Sequence, residues 1–545
     1  MTAISWSLDP SPGMVARNHG RSQRVKMDRV PRLAFKPDTS FFRKISIGVI
    51  GVRDVCADLA RLGHTMVELE RGATDTKLWT DVKRKRVRIP DLVCLRCGLR
   101  VESRAKTAPE LSMSHSFTEH TRAWDFGMIG TDCVAFPVCE ILDEKYAGSG
   151  KLEANTSYWH ERNWVRWQVR GQVNYFPVSA FRATPHAKAG TKGVEEGSET
   201  TIAWAATFST RAGVIDAVNR SSVTVRREPD GHRHTWRIKP PQRIVVQEGE
   251  PVGLYQVLAS APLPYTASDL ICPAAARSGS IARLLTSRER TLRFTGAKLA
   301  RLLRNNECGE IVEQLFSDSD EDLYVRLEAA AYLASVLGQS ARTLFSPYLT
   351  STDEQTQLEA VISLGETANT EAVQILCEIL DSQDQPYFLR SAAAWCLSRM
   401  GGEQSTQRLI RAFTDMDQEL REEALEGLVT LGGPAIPALL ENLRLGGSAT
   451  AAGCAEALRQ QPLPGFAVAE IIRDLYSPEP SPWAVWLAGN LPREQIAGAI
   501  AELQKRAPQL HYAISLLWSF IESWIIRRWE FAPRPLSQRI EGRTG

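Results

Sequence analysis

The sequence has little of what marks a membrane or secreted protein. A membrane span needs about eighteen or more consecutive apolar residues, and no charge-free run of that length occurs. The longest candidate, HYAISLLWSFIESWIIRRWEF from residue 511, is interrupted by Glu522 and is typical of an amphipathic or capping helix. The opening residues also lack a continuous apolar segment. We therefore expect a cytoplasmic protein.

Cysteine density, nucleotide-binding motifs and net charge are also low. Ten cysteines scattered through 545 residues are too sparse for a disulfide scaffold, so we expect mostly free thiols in a reducing compartment. The motifs GxxxxGKS/T, GxGxxG before a helix, and HExxH are absent, which argues against a nucleotide-driven motor. The net charge of +2 says nothing about a polyanionic partner, so only local charge clusters are informative.

The C-terminal half carries an internal repeat with a period of 31 to 33 residues. A small residue precedes a leucine by four positions in each copy: Ala329/Leu333, Ala360/Leu364, Ala393/Leu397 and Ala424/Leu428. The small residue lets two helices approach, and the leucine fills the seam between them. The pattern resembles HEAT repeats, which implies an α-solenoid over residues 285–545 with capping helices at its end. Acids at the predicted turns favour a protein partner over DNA for this region.

The rest of the chain divides into regions that differ in composition and hydrophobic pattern, and a chain of this length is expected to form several domains. Residues 1–40 are basic and expected to be poorly ordered, and residues 41–150 read as an α/β domain. Residues 151–268 alternate in short runs bounded by turn residues, which predicts a small β-rich domain. Residues 269–284 are a predicted linker into the solenoid.

The stretch RVRIPDLVCLRCGLRVESRAK, residues 86–106, predicts a hairpin with unusual charges. If its two halves are antiparallel strands, Glu102, Arg104 and Lys106 share one face and Asp91 opposes them at the start of the other strand. Two carboxylates suit Mg²⁺, and a nearby cation suits the charge on a phosphate. The alternative is a strand with a solvated charged face.

These residues resemble the PD-(D/E)xK nuclease superfamily through Pro90-Asp91, Glu102 and the cation that follows. The resemblance covers about residues 45–140 and implies a restriction-endonuclease-like mixed sheet flanked by helices, which cuts DNA with Mg²⁺. The catalytic cation is then either Arg104 or Lys106, of which we expect Lys106 to matter more. The acid that many members carry on a helix has four local candidates: Asp54, Asp58, Glu68 and Glu70.

Cys94-x-x-Cys97-Gly is typical of half a zinc knuckle, because a tight turn lets both thiolates face one metal. Two more ligands are needed, for which Cys133, Cys139 and His115 are the candidates. The alternative is a plain hairpin with two buried thiols.

Two groups of residues are candidates for nucleic-acid contact. A basic run precedes the hairpin, and a segment that interleaves tryptophan with arginine could stack bases while it holds phosphates. The alternative for the second group is a β-domain core with a basic outer face. The predicted contact residues are Lys83, Arg84, Lys85, Arg86, Trp164, Arg166 and Trp167.

The leading hypothesis is a Mg²⁺-dependent DNA endonuclease or nuclease-like effector, for which bacterial defence is the expected context by analogy. The first alternative is a non-catalytic HEAT-repeat scaffold that holds DNA. A further alternative is a zinc-stabilised nucleic-acid recognition module.

Overall fold

The computed structural model describes residues 40–70, 88–142, 167–194, 197–228, 230–273, 278–491 and 493–517. Most of the predicted basic N-terminus lies outside these ranges, as do Lys83, Arg84, Lys85, Arg86, Trp164 and Arg166. Among the described residues, no helix is long and apolar enough to cross a membrane.

The first described element is a long amphipathic helix, α1 (Ser40–Arg61). Val55 and Leu59 are fully buried on one side of it, at the four-residue spacing that one helix face requires. The helix ends just before Gly63, which has a φ of +86° and so adopts the left-handed conformation that glycine accepts without strain. The stretch ISIGVIGVRDVCADLARLGH, residues 45–64, predicts a helix that ends at Gly63.

In the ranges that the structure describes, seventeen strands follow in short sheets. Those of the first half are β1 (Met66–Glu68), β2 (Leu92–Cys94), β3 (Arg100–Ser103), β4 (Leu111–His115), β5 (Cys133–Phe136), β6 (Cys139–Ile141), β7 (Trp167–Val169) and β8 (Asn174–Pro177). Those of the middle region are β9 (Ala187–Val194), β10 (Gly197–Trp204), β11 (Ala206–Phe208), β12 (Gly213–Asn219), β13 (Ser222–Arg226), β14 (Arg233–Arg237), β15 (Arg243–Ile244), β16 (Pro251–Val252) and β17 (Val257–Ser260). A short helix, α2 (Val178–Arg182), follows β8.

The largest sheet is mixed and has the strand order β1-β2-β3-β5-β8. Strands β1, β2 and β3 form an antiparallel meander, β3 pairs in parallel with β5, and β5 pairs antiparallel with β8. Helix α1 packs on one face, where it buries Leu92 and Val101. Strand β8 lies within residues 151–268, the range predicted for the middle domain, yet it completes this first sheet.

The middle region is β-rich, as the sequence predicted. A four-stranded sheet with the order β14-β13-β12-β16 packs beside a three-stranded sheet with the order β11-β17-β15. Their shared core includes Ile215, Val223, Val225 and Leu258. A third sheet, β4-β10-β9, joins an aromatic cluster on the second face of the mixed sheet, formed by Trp124, Phe136, Phe176, Phe181 and Trp204.

The C-terminal region is built from helix pairs. These helices are α3 (Ser278–Leu285), α4 (Arg290–Leu302), α5 (Gly309–Ser317), α6 (Leu323–Ser335), α7 (Ala341–Leu349), α8 (Glu354–Leu364), α9 (Thr370–Asp381), α10 (Tyr387–Met400), α11 (Gly402–Arg411), α12 (Gln418–Leu431), α13 (Ile436–Leu445), α14 (Ser448–Arg459), α15 (Gly465–Leu475), α16 (Pro482–Asn490) and α17 (Arg493–Arg506). The predicted alanine–leucine seam is confirmed, because all eight of its residues are fully buried.

Acidic residues cap several of these helices, as the sequence predicted. The carboxylates of Asp322, Asp353 and Asp417 each accept a backbone N–H from the first turn of the helix that follows. Such a cap satisfies an otherwise orphaned donor and stabilises the helix by about 1 kcal/mol. These acids therefore stabilise the helices, and they also place negative charge along the turns.

The first solenoid helices share a core with the mixed sheet. Leu69, Ile89 and Val93 of the sheet belong to the same buried cluster as Phe294 and Ala297 of α4. The predicted linker is partly packed as well, since Leu270 lies in the core beneath α1. The α/β domain and the solenoid are therefore joined through a continuous apolar interior.

A buried polar contact reinforces this junction. The Arg100 guanidinium on β3 is paired with Asp132, and its Nη1 also donates to the Thr291 carbonyl oxygen and the Thr295 hydroxyl of α4. Both charged side chains are almost completely buried. Removal of either partner would leave an uncompensated charge in the interior, which costs about 3–5 kcal/mol.

Candidate functional site

The predicted hairpin forms, and it places two of the predicted acids side by side. Leu92 on β2 pairs with Val101 on β3, so Asp91, one position earlier, lies level with Glu102. The backbone confirms the alignment: the Asp91 carboxylate Oδ2 accepts the Ser103 N–H at 2.8 Å. The two carboxylates therefore lie side by side at the end of the strand pair, where β2 begins and β3 ends.

Negative charge accumulates around Asp91. Burial raises the pKa of Asp91 well above its ordinary value, and the nearby carboxylates of Glu102 and Glu70 raise it further. The Ser103 N–H and Arg104 act in the opposite direction. Such an arrangement favours a cation, because a bound positive charge would relieve the repulsion.

Glu70 is the acid that joins this pair from outside the hairpin. It is buried and lies two residues after the end of β1, and its backbone N–H donates to the Asp91 carbonyl oxygen. The helical candidates have other contacts: Asp58 accepts a hydrogen bond from the Tyr175 hydroxyl at 2.7 Å. Burial and the Asp58 charge raise the pKa of Asp54.

The two predicted cations point to different partners. Arg104 Nη2 lies 3.0 Å from Glu102 Oε1, which puts the guanidinium directly beside the carboxylates. Lys106 Nζ instead donates to Ser112 Oγ at 3.0 Å and lies 3.9 Å from Glu110. Burial lowers the pKa of Lys106 to about 8, although Glu110 opposes that shift. The structure therefore groups Arg104, and not Lys106, with Asp91 and Glu102.

Cys94 and Cys97 meet ligands that the sequence did not reveal. One potential ligand atom from each of His64, Cys94, Cys97 and Cys272 lies within 4.8 Å of the others. In the described part of the chain, no other group of three or more histidine, cysteine or acidic residues is this tight. Cys272 is 178 residues from Cys94, and no local spacing signals such a pairing.

The partners predicted for these cysteines lie elsewhere, which corrects that part of the zinc hypothesis. Cys133 is buried in β5 beneath α1, and burial raises the pKa of its thiol. Cys139 is buried against Ile47, whose carbonyl oxygen its thiol contacts. His115 Nδ1 accepts the Trp124 N–H at 3.2 Å. These three side chains belong to separate packing contacts of the fold.

One predicted nucleic-acid contact is a core residue. Trp167, on β7, is 8% exposed and packs with Ile47 and Cys139. A ring enclosed in this way has no free face on which a base could stack. This corrects the stacking prediction for Trp167, and the core alternative describes it.

Comparison with known proteins identifies HEAT repeats in the C-terminal half. A family model described as HEAT repeats matches residues 310–389 and 382–459. A search of the curated proteins found no match. The solenoid that the alanine–leucine pattern predicted is therefore a HEAT-repeat region.

Three solved structures similar to the chain each match less than half of it. The Escherichia coli YibA structure is 13% identical with a TM-score of 0.24, and the match covers 45% of this chain and 92% of that one. Human deoxyhypusine hydroxylase in complex with glycerol is 18% identical with a TM-score of 0.19, at 45% and 96% coverage. The CpcE–CpcF complex of phycocyanin lyase from Nostoc is 20% identical with a TM-score of 0.19, at 38% and 92%. Matches at these scores say nothing about activity.

Proposed function

We propose that the chain is a Mg²⁺-dependent DNA endonuclease of the PD-(D/E)xK type, whose HEAT-repeat region binds a protein partner. The observation that carries the proposal is the alignment of Asp91 with Glu102 on adjacent antiparallel strands, with Arg104 beside them. Bacterial defence remains the expected context by analogy.

The fold around these residues supports the proposal. The resemblance implies a mixed sheet with flanking helices, and the chain has a mixed five-stranded sheet with α1 packed on one face. Asp91 directly precedes the second strand and Glu102 lies in the third. Both acids lie where one strand begins and the next ends.

The residues present fit a magnesium ion. Mg²⁺ is usually held by one or two carboxylates, with water and substrate phosphate completing its shell, and Asp91 and Glu102 supply two hard oxygen donors. When bound, the ion would polarise a phosphoryl oxygen and lower the pKa of an attacking water. Burial raises the pKa of Asp91, and the carboxylates of Glu102 and Glu70 raise it further; a bound cation would relieve the repulsion among these carboxylates.

Arg104 is the cation placed for a role in phosphate binding. Its guanidinium reaches Glu102 at 3.0 Å, and a planar guanidinium suits phosphate oxygens through two parallel hydrogen bonds. In the absence of DNA, Glu102 holds Arg104 at the carboxylate edge. Lys106 is held by Ser112, so it supports the neighbouring loop and contributes less to the site.

Digestion of supercoiled plasmid by the purified full-length chain, with Mg²⁺ and with EDTA, tests this function. We expect nicking or linear product with Mg²⁺ only, and we expect Asp91→Asn and Glu102→Gln to lose it. Glu119→Gln is a matched control, because Glu119 is an exposed acid of the same domain. Equal product from Asp91→Asn and the wild type would show that any cleavage arises elsewhere.

A non-catalytic scaffold is the second candidate, and a specific observation favours it. Asp91 already accepts the Ser103 N–H, and Glu102 already pairs with Arg104, so both acids have structural partners without a metal. DNA binding without cleavage at any Mg²⁺ concentration would establish this reading. The zinc-stabilised recognition module would give the same digestion result but would also lose DNA affinity when its metal is removed.

The solenoid is proposed to bind protein. Arg408 is paired with Asp381 at 2.5 Å, and Arg390 is paired with Asp415. These ion pairs offset part of the positive charge on the two helices, and acidic caps place negative charge along the turns. Because the solenoid shares its core with the sheet, partner capture is tested with the full chain that carries substitutions on exposed solenoid residues.

A further inference from the structure

The four side chains of the cysteine–histidine cluster come from three separate segments. His64 follows the end of α1, Cys94 and Cys97 belong to the β2–β3 hairpin, and Cys272 lies on the segment that leads into the solenoid. Cys94 Sγ lies 3.9 Å from Cys272 Sγ, and Cys97 Sγ lies 3.5 Å from His64 Nδ1. The cluster is mostly buried: His64 is 5% exposed, Cys94 0% and Cys272 8%.

The hairpin turn is shaped to present two thiolates. Gly98 has a φ of +76°, and its N–H donates to the Cys94 carbonyl oxygen at 2.9 Å, which closes the turn. The backbone N–H groups of Arg96 and Cys97 point at the Cys94 sulfur, and that of Leu99 points at the Cys97 sulfur. Amide donors directed at sulfur stabilise negative charge there, which is what two thiolate ligands require.

A hydrogen bond on the side of the ring away from the cysteines fixes the orientation of His64. Its Nε2 lies 2.8 Å from the Leu270 carbonyl oxygen, which can accept a hydrogen bond but cannot donate one. Nε2 therefore carries the hydrogen, and Nδ1, which faces Cys97, presents its lone pair to the cluster. Metal-ligating histidines typically donate their second nitrogen to a carbonyl in this way.

Cys272 is held in place by its backbone. Its N–H donates to the Leu62 carbonyl oxygen at 3.0 Å, next to the turn that carries His64. The side chain of Arg96 closes the other side, where its Nη1 donates to the Gly63 carbonyl oxygen at 2.7 Å. Both contacts join the same three segments that supply the ligands.

We propose that His64, Cys94, Cys97 and Cys272 bind one Zn²⁺ ion, which fastens the segment entering the solenoid to the α/β domain. Three thiolates and one imidazole in a tight, buried group match the tetrahedral preference of zinc. Four protein ligands leave no open position, so the site is structural and takes no part in hydrolysis. A cleft of about 330 Å³ borders His64 and Cys97 and offers a path for the ion.

The zinc joins the solenoid's entry segment to the hairpin that carries Asp91 and Glu102. Asp91 and Cys94 are three residues apart on the same strand segment, so the metal also holds the base of the proposed catalytic hairpin. This role does not depend on whether the chain cleaves DNA, because it concerns the stability and placement of segments.

Metal analysis of the full-length chain, purified without chelators, is the first test. We expect about one zinc per chain and at least a tenfold loss of zinc content in Cys272→Ser and in Cys94→Ser. Cys56→Ser is the matched control, because Cys56 lies in the same domain outside the cluster and should keep its zinc. Zinc-free folded protein, a stoichiometric iron or copper content, or a Cys94–Cys272 disulfide detected by mass spectrometry would overturn the proposal.

A measurement on the unmodified chain covers the case in which those variants fail to fold. After removal of the metal, Co²⁺ should give thiolate-to-cobalt charge-transfer bands and the strong visible bands of tetrahedral coordination. Hydrogen exchange should then be faster, in the metal-free chain, at residues 94–99 and 265–273 but unchanged at residues 418–431. Octahedral cobalt spectra, or exchange that does not respond to the metal at the first two segments, would refute the assignment.

Discussion

The Asp91 carboxylate accepts the backbone N–H of Ser103 at 2.8 Å, which ties the start of one strand to the end of the next. This bond sets Asp91 level with Glu102 and gives the acidic pair a fixed position. It also limits which atoms remain available: Oδ2 is engaged with the backbone, and the other oxygen is the one left to meet a cation.

Removal of either acid should leave DNA affinity unchanged or improve it. Asp91→Asn and Glu102→Gln each delete a negative charge close to the proposed phosphate path, and DNA binding responds to charge of that sign. Gel-shift titration of the full-length chain in EDTA, at several salt concentrations, measures the effect. A large loss of affinity at all salt concentrations, with the fold intact by circular dichroism, would mean that these acids support the DNA surface instead.

Arg104 should matter more for cleavage than Lys106. Arg104 contacts Glu102 directly, whereas Lys106 is engaged by Ser112 and Glu110, so Arg104→Ala should lose on the order of 100-fold in rate and Lys106→Ala much less. Arg104→Lys is the matched variant that keeps the charge but loses the planar fork. If Lys106→Ala lowers the cleavage rate more than Arg104→Ala does, Lys106 is the catalytic cation, as the sequence predicted.

The buried pair of Arg390 and Asp415 should make the solenoid acid-sensitive. Burial raises the pKa of Asp415, but hydrogen bonds from Arg390, the Asp417 N–H and Gln383 outweigh it and bring the pKa to about 2. The unfolded value is about 3.9. A depressed pKa stabilises the fold above the unfolded value, and this contribution, roughly 1–2 kcal/mol, is lost as the pH falls from about 4 to about 2.

Urea unfolding between pH 5 and pH 2 measures this contribution. Asp415→Asn should be less stable at pH 5 and should lose less stability on acidification than the wild type. Asp384→Asn removes an exposed acid of the turn between α9 and α10, next to Gln383, and should behave like the wild type. An identical pH profile for Asp415→Asn and the wild type would contradict the assignment.

The shared core should make the sheet and the first solenoid helices unfold together. Phe294→Ala removes a fully buried ring that packs in the cluster of Leu69 and Val93, at a cost of about 3–5 kcal/mol. Leu302→Ala, at a partly exposed position of the same helix, is the control and should cost much less. Calorimetry should show that the midpoint temperature of unfolding falls for the sheet as well as for the first solenoid helices. If the unfolding temperature of the sheet does not change, the two regions are thermodynamically separate.

Local patterns predicted the parts of the fold that depend on local contacts. Ala329 and Leu333 share a helix face through a four-residue spacing, and Gly63 ends α1 through its left-handed backbone, so each is visible in a few residues of sequence. The β2–β3 hairpin follows from alternation on either side of the Cys94–Cys97 turn. These features need no knowledge of the rest of the chain.

Contacts across long distances could not be found in this way. Cys272 reaches Cys94 across 178 residues, and its partner His64 has no spacing that marks it as a ligand. Strand β3 ends at Ser103, so strict alternation does not extend to Arg104 and Lys106, and their different partners depend on tertiary packing. Nearby sequence also does not reveal that Trp167 is buried, because its burial depends on segments such as α1 that lie far from it in sequence.

The rate of nicking of supercoiled plasmid by wild-type protein and by Asp91→Asn, at saturating DNA and over a range of Mg²⁺ concentrations, tests the central claim most directly. The account predicts Mg²⁺-dependent nicking by the wild type and a loss on the order of 100-fold or more in the variant, with DNA occupancy unchanged. Equal rates for the two proteins, or no nicking by the wild type at any Mg²⁺ concentration while it binds DNA, would contradict it.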